Sequence, residues 1–370
     1  MGLFFCVDIW KVKNLKPFYN YINEKYGSLV KLSKNHPIFP FSKVNVLITR
    51  KCNERCSFCR VYDDLGAPRP DALTFDEWKK TLLPLPKFTT VSFSGGEPTT
   101  VPFLFDLIKE LSDAGKYSAI VTNGTFIKPE DAKKICDSKL MYMMISVHGT
   151  QEIHDKVTNL KGGYQKVVEN IRAINKYKAD NNTKYPIIGI KSIVTEENCK
   201  ELEKFCDSLD ELNIADLHFN ILNDSVLQHR IETIDDLSEA CEDYKYHQYD
   251  KDKIDTIRES VKNILEKKYN YTVGFSNDFQ SNRELVDYFG NEDQYQIKKC
   301  TMPMVDLTIH ENGDVSPCHS VRLTNMKEID YDVRKIKKIK KYRDYVNKVM
   351  SSFPNPKVCQ GCNYGSLSKI

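Results

Sequence analysis

The 370-residue sequence has no stretch approaching the roughly 18 consecutive apolar residues of a membrane-spanning helix. It shows no charged N-terminal region leading into a long apolar core, so no secretory signal is read and a cytoplasmic location is the expectation. Its charge has no dominant sign. Lys+Arg 54 against Asp+Glu 51 leaves a formal +3, which argues against recruitment by nucleic acid or an anionic membrane surface. Fixed-period repeats are missing, and 41% hydrophobic with 28% charged residues excludes collagen-like and wholly disordered chains. What the chain does carry is cysteine, twelve in all. In a reducing compartment, clustered thiols point to metal or redox chemistry rather than to disulfides.

Residues 1–43 read as an N-terminal extension interrupted by Pro17, Pro37 and Pro40. From Val44 a rhythm sets in: short β-branched runs at 44–49, 90–94, 118–122, 141–147, 187–194 and 217–222 alternate with helical patterns. Six strand–helix alternations predict an α/β fold, a partial (β/α)6 barrel over residues 44–222, with its chemistry at the C-terminal ends of the strands. Residues 223–299 are polar and read as a helical connector. Residues 300–370 read as a small tail, in which Asn312-Gly313 between two short runs predicts a β-hairpin with a type I′ turn.

Directly after the first strand stand Cys52, Cys56 and Cys59. Three thiolates in eight residues can wrap one metal cluster, and three ligands on a cubane [4Fe–4S] leave one iron open to an outside molecule. The alternatives are three unrelated loop cysteines or a zinc knuckle completed from afar. After the second strand comes Ser94-Gly95-Gly96-Glu97-Pro98, after the third Thr122-Asn123-Gly124, and after the fourth Ser146-Val147-His148-Gly149.

This ordered series resembles the radical S-adenosylmethionine (SAM) superfamily. The resemblance implies that Cys52, Cys56 and Cys59 hold a SAM-binding [4Fe–4S] cluster. It further implies that Gly95, Gly96 and Glu97 lie along the methionine end of SAM, with Asn123 and Ser146 at the ribose and Phe58 against the adenine. Two positions depart from the family pattern. His148 stands where relatives often have Asp, and Val157-Thr158-Asn159 occupy a stretch where many have Arg. Hydrogen bonding of His148 to backbone is the favoured reading over a proton-accepting role.

In the tail, Cys300, Cys318, Cys359 and Cys362 can gather four thiolates around one centre. The pattern resembles the twitch domain, the shortened form of the SPASM extension, and implies one fully ligated auxiliary [4Fe–4S] cluster; a four-thiolate zinc site is the rival. From the family, reduction by an external flavodoxin or ferredoxin would produce a 5′-deoxyadenosyl radical that takes hydrogen from a substrate carbon. The leading expectation is two-electron oxidation of a small molecule, with the auxiliary cluster accepting an electron. Thioether or carbon–carbon crosslinking of a ribosomal peptide is the alternative, and a non-catalytic Fe–S or zinc protein is a third reading. The basic run Arg334–Arg343 reads as the solvated face of an amphipathic helix.

Overall fold

The computed structural model describes residues 41, 43–59, 69–87, 89–221, 251–275, 295–296, 302–317, 321–351 and 368–369. Its framework is a run of parallel strands: β1 (Lys43–Thr49), β2 (Thr90–Gly95), β3 (Tyr117–Thr122), β4 (Tyr142–Ser146), β5 (Ile187–Val194) and β6 (Asp216–Ile221). Helices Phe75–Leu82, Leu104–Asp113, Ala132–Asp137, Gly163–Asp180 and Leu202–Leu209 return the chain between them, as the alternating pattern predicts. The first of these helices starts at a reciprocal cap. The Glu77 N–H donates to the Thr74 hydroxyl while the Glu77 carboxylate accepts from the Thr74 N–H.

Alternate residues of each strand divide between two environments. Val44, Val46, Val91, Phe93, Ile120, Ile145, Ile188 and Ile190 are buried against the helices in one continuous core. The opposite set lines the inside of the partial barrel, where Ala119, Met141 and Tyr142 form a separate small cluster flanked by Tyr117, Met144 and Ile187. Burial on both faces explains why the strands read as near-continuous β-branched runs.

The sheet continues beyond the six expected strands at both edges. Helix Lys251–Glu266 leads into β7 (Thr272–Phe275), which pairs parallel to β6, so part of the segment read as a helical connector is a further strand–helix unit. At the other edge β9 (Asp306–His310) pairs parallel to β1 with Val46 opposite Ile309, and it continues antiparallel into β10 (Asp314–Ser316) and β11 (Thr324–Asn325). A separate pair joins β8 (Tyr295–Gln296) to β12 (Ser368–Lys369).

The β9–β10 hairpin is present, but its turn differs from type I′. Only Gly313 takes positive φ (+92°), and its N–H donates to the His310 carbonyl. A three-residue loop with glycine in the left-handed position is the better description. The extra residue, Glu311, is drawn inward by contacts described below. The basic run also differs from expectation: it breaks at Ile339 between a 3₁₀ turn, Val333–Lys338, and helix Lys340–Ser351. Lys337 is not on a solvated face. Its ammonium donates to the Met304 carbonyl at 3.0 Å and lies 4.4 Å from the centre of the Phe41 ring.

Candidate active site

The cysteine loop leaves the C-terminal end of β1 and is held from three directions. From β2, the Gly96 N–H donates to the Thr49 carbonyl and the Glu97 N–H to the Lys51 carbonyl, both at 2.7 Å. From helix Gln151–Thr158, the Val157 and Thr158 carbonyls accept from the N–H groups of Ser57 and Arg55. The stretch that departs from the relatives' Arg therefore seats the loop by its backbone. From β3, the Asn123 side-chain amide donates to Asn53 Oδ1 at 2.9 Å and lies 3.9 Å from Cys52 Sγ, while Asn53 in turn donates to the Thr125 hydroxyl. Behind Thr125, the Asn170 amide donates to the carbonyls of Gly124 and Ile127 and fixes the turn after β3.

Glu97 is the strut of this arrangement. Its side chain is fully buried and accepts from Thr122 Oγ1 and the Asn123 N–H, each at 2.7 Å, from the Thr99 N–H at 2.9 Å, and from the Thr99 hydroxyl. One carboxylate thus joins the ends of β2 and β3. The two glycines before it serve the same assembly. A Cβ on Gly95 would stand 2.1 Å from the Thr49 carbonyl oxygen, and one on Gly96 would stand 2.4 Å from that of Lys51. What approaches closely at these positions is the backbone that launches the cysteines.

The donor chemistry fits an iron–sulfur cluster. Cys52, Cys56 and Cys59 offer three thiolates on one loop, the donor set that leaves one iron of a cubane cluster open. Burial pushes the Cys52 thiol up to about 11 and Cys56 higher still, with the nearby acidic side chains adding to the rise. Thiols in such a place ionise only against positive charge, which bound iron supplies. The Glu54 N–H faces Cys52 Sγ at 3.4 Å, and together with Asn123 it is placed to hydrogen-bond the sulfur.

Phe58 and His148 form one wall, their rings edge to face at 4.8 Å. His148 Nδ1 accepts from the Ile193 N–H and its carbonyl accepts from the Asn198 amide, so this histidine is bonded to backbone and burial keeps it neutral. Behind it, the His154 ring lies near-parallel at 6.1 Å, with Nδ1 accepting from the His148 N–H and a buried Nε2 that has no hydrogen-bond partner among the described residues.

Burial lowers His154 from 6.5 to about 4. The unfolded chain therefore takes up this proton first. Stability is full above pH 6.5 and is lost as the pH falls through 4, by about 3 kcal/mol from this group. Denaturant titrations of the cluster-free protein should show that loss, and it should flatten in His154→Gln. Equal pH slopes in the two proteins would remove His154 as its source.

Of the residues singled out in the sequence, Cys52, Cys56, Cys59, Phe58, Gly95, Gly96, Glu97, Asn123 and Ser146 all lie at the same end of the sheet. Cys300, Cys318, Cys359 and Cys362 lie outside the described residues. Missed were Asn53, Thr125, Asn170 and Glu311. Glu311 is 3% exposed and accepts from the N–H groups of Arg50 at 3.0 Å and Arg69 at 3.1 Å, gripping the cysteine segment on both sides of its loop. Arg50 and Glu311 are 261 positions apart, and no local signal links them.

Comparison with known proteins agrees with this geometry. Residues 46–207 match the model of the radical SAM superfamily, and residues 300–363 match SPASM, an iron–sulfur cluster-binding domain. The PqqA peptide cyclase of Bradyrhizobium diazoefficiens is 34% identical over 125 residues, 33% of either chain. The AdoMet-dependent heme synthase of Methanosarcina barkeri is 28% identical over 46% of this chain and 48% of that enzyme, so these two alignments span a third to a half of each relative. The cysteine-type anaerobic sulfatase-maturating enzyme of Clostridium novyi is 24% identical over 86% of this chain and 84% of its own. Among solved structures, Streptococcus suis SuiB bound to its precursor peptide SuiA superposes with a TM-score of 0.61 at 15% identity, covering 94% of this chain and 76% of that one. That likeness shows the shared fold. A cysteine loop held by the ends of β2 and β3 and by helix Gln151–Thr158, on a partial barrel, agrees with the two family matches: this is a chain of the radical SAM superfamily over residues 46–207 with a C-terminal SPASM region over residues 300–363.

Proposed function

We propose that this protein is a radical SAM enzyme that oxidises a residue of a polypeptide. The observation that carries the substrate class is the alignment with the sulfatase-maturating enzyme, which runs through 86% of the chain rather than the barrel alone. The small-molecule oxidation rested on likeness of the tail's cysteine pattern to a twitch domain, whereas residues 300–363 match SPASM, and this supports the peptide reading in its place.

In this reading Cys52, Cys56 and Cys59 hold the SAM-binding cluster, and Gly95–Glu97, Asn123, Ser146 and Phe58 form the SAM cradle. Bound together, cluster and SAM supply a carbon radical strong enough to take hydrogen from an unactivated C–H bond. The protein's own residues position and exclude. Glu97 fixes Asn123 beside Cys52, and the Phe58–His148 wall closes one side against water. Neutral His148, its Nδ1 occupied, holds its remaining proton on Nε2. The peptide loses one hydrogen atom, then a proton and a second electron. That proton passes to solvent, Cys300, Cys318, Cys359 and Cys362 are proposed to hold the acceptor of that electron, and a flavodoxin or ferredoxin is the external donor of the separate electron that SAM cleavage would consume.

The test uses the anaerobically reconstituted, reduced protein with SAM and a pool of cysteine-containing synthetic peptides deuterated at the α and β carbons. Peptide should stimulate 5′-deoxyadenosine formation, deuterium should enter that product, and a peptide lighter by two hydrogens should accumulate. A folded Cys359→Ala/Cys362→Ala variant should retain deuterium transfer and lose the oxidised peptide. SAM cleavage indifferent to every peptide, yet stimulated by a small metabolite, would return the reading to small-molecule oxidation.

A further inference from the structure

Inside the partial barrel the charged groups of the floor are matched. Asp306 on β9 accepts from the Asn45 amide at 2.6 Å and pairs with Lys43 at 3.6 Å. Asp216 on β6 accepts from the Tyr142 hydroxyl at 2.8 Å. The Tyr142 phenol crosses Gly189 so closely that a Cβ there would stand 1.9 Å from the hydroxyl oxygen. One residue up the same inner face of β5 from Gly189 comes Lys191.

The orientation of Lys191 follows from strand alternation. Ile188, Ile190 and Val194 are buried among the helices, so Ile187, Gly189, Lys191 and Ile193 face the lumen. In the ladder Lys191 stands opposite Ser146 on one side and His218 on the other. It is therefore level with the end of β4, where the SAM cradle begins. Its side chain is partly accessible, and its ammonium has no hydrogen-bond or ion-pair partner among the described residues.

An ammonium that no described residue meets, in a largely buried lumen, is costly unless something arrives to meet it. We propose that Lys191 anchors a carboxylate of the substrate inside the barrel, below the SAM cradle. This deepens the polypeptide reading and rests on it, since an Asp or Glu side chain or a chain terminus is the group that a peptide would bring. A single negative charge suits the site better than a dianionic phosphate, because Asp216 and Asp306 lie in the floor beneath. Burial and the nearby Lys43 lower the Lys191 amine to about 8. An anion at the site would restore its proton, and at neutral pH the empty site exposes far more free amine than an ordinary lysine does.

That property gives a test that needs neither turnover nor a known substrate. The reconstituted holoenzyme is treated with acetic anhydride, an uncharged reagent, and the acetylation rate of each lysine is read by peptide mass mapping. N-acetyl-aspartate α-amide should slow the acetylation of Lys191 by about tenfold, the worth of one charge-assisted hydrogen bond, and leave Lys116 unchanged. Its neutral isostere, N-acetyl-asparagine amide, should slow neither. Protection by both probes or by neither overturns the proposal. So does equal protection by SAM alone, which would assign the lysine to the carboxylate of the cofactor. Protection by the aspartyl probe in a protein that modifies no peptide would retain the anchor and refute only the polypeptide reading.

Discussion

Gly96→Val, and Gly95→Ala with it, should remove the barrel cluster and not merely weaken SAM binding. The reason lies in what surrounds these glycines. A Cβ on Gly96 meets the carbonyl oxygens of Lys51 at 2.4 Å and Arg50 at 2.6 Å, and neither is the free end of a flexible side chain. Gly95 adds a φ of +135°, which a side chain adopts only under strain, with the Thr49 oxygen 2.1 Å from any Cβ. Accommodation must push the start of the cysteine loop away from β2 and break the bonds from the Gly96 and Glu97 N–H groups. The cost is above about 4 kcal/mol locally, in the class of strain at a special backbone conformation. Iron per reconstituted chain should fall to about half if the tail retains its own cubane, and SAM cleavage should vanish. Full iron content with lost SAM affinity would show that the glycines serve cofactor approach instead, the role implied by family resemblance.

Local chemistry made the centre of this site legible. Three cysteines in eight residues, Gly-Gly-Glu-Pro and Thr-Asn-Gly each announce themselves over a few positions, and their order after successive strands fixed the barrel's catalytic end. What escaped reading depends on pairing across the chain. Helix Gln151–Thr158 buries only His154, Val157 and Thr158, too sparse an apolar pattern to signal a helix, yet its last carbonyls seat the cysteine loop. Parallel pairing of β9 with β1 has no turn to betray it, so the tail's hairpin read as a separate unit although it extends the barrel sheet. β7 is four residues long and lies in a polar stretch. Lys337 was hidden in a basic run, and only the fold shows one of those charges turned inward over Phe41.

These long-range pairings tie the tail to the barrel's cysteine loop. β9 begins six residues beyond Cys300, and Glu311, just after its end, holds Arg50 and Arg69 on either side of the barrel loop. The tail is therefore built into the support of the first cluster's loop. A change in the tail that displaces the hairpin must disturb that loop too, so tail variants should be judged with the barrel cluster's spectrum in hand.

Glu97→Gln, a change of one oxygen for an amide nitrogen, should be among the most damaging conservative substitutions in the chain. Burial pushes the Glu97 carboxyl above the ordinary range, which by itself favours a proton and would make Gln a fair mimic. Four donors oppose that. Two are backbone N–H groups that cannot turn, Thr99 facing Oε1 and Asn123 facing Oε2. A glutamine amide nitrogen cannot accept and faces one of them with hydrogen in either orientation, whereas the carboxylate accepts from both. Glutamine therefore leaves one buried N–H facing an NH₂ group. The cost is about 3 kcal/mol, the range for breaking a buried charged network at one member. The Thr122 and Thr99 hydroxyls could rotate to soften it, so Thr99→Val, which removes only one rotatable donor, should be much milder. Because Asn123 is displaced when Oε2 no longer receives its N–H, the contact of its amide with Cys52 should go as well. The reduced cluster's electron paramagnetic resonance signal should then shift, and SAM cleavage should fall by about tenfold or more, since each tenfold requires only about 1.4 kcal/mol. Denaturant unfolding within about 0.5 kcal/mol of the parent, the size of an ordinary surface substitution, together with an unchanged signal, would mean that Glu97 is protonated in the folded protein and that the strut is held by packing alone.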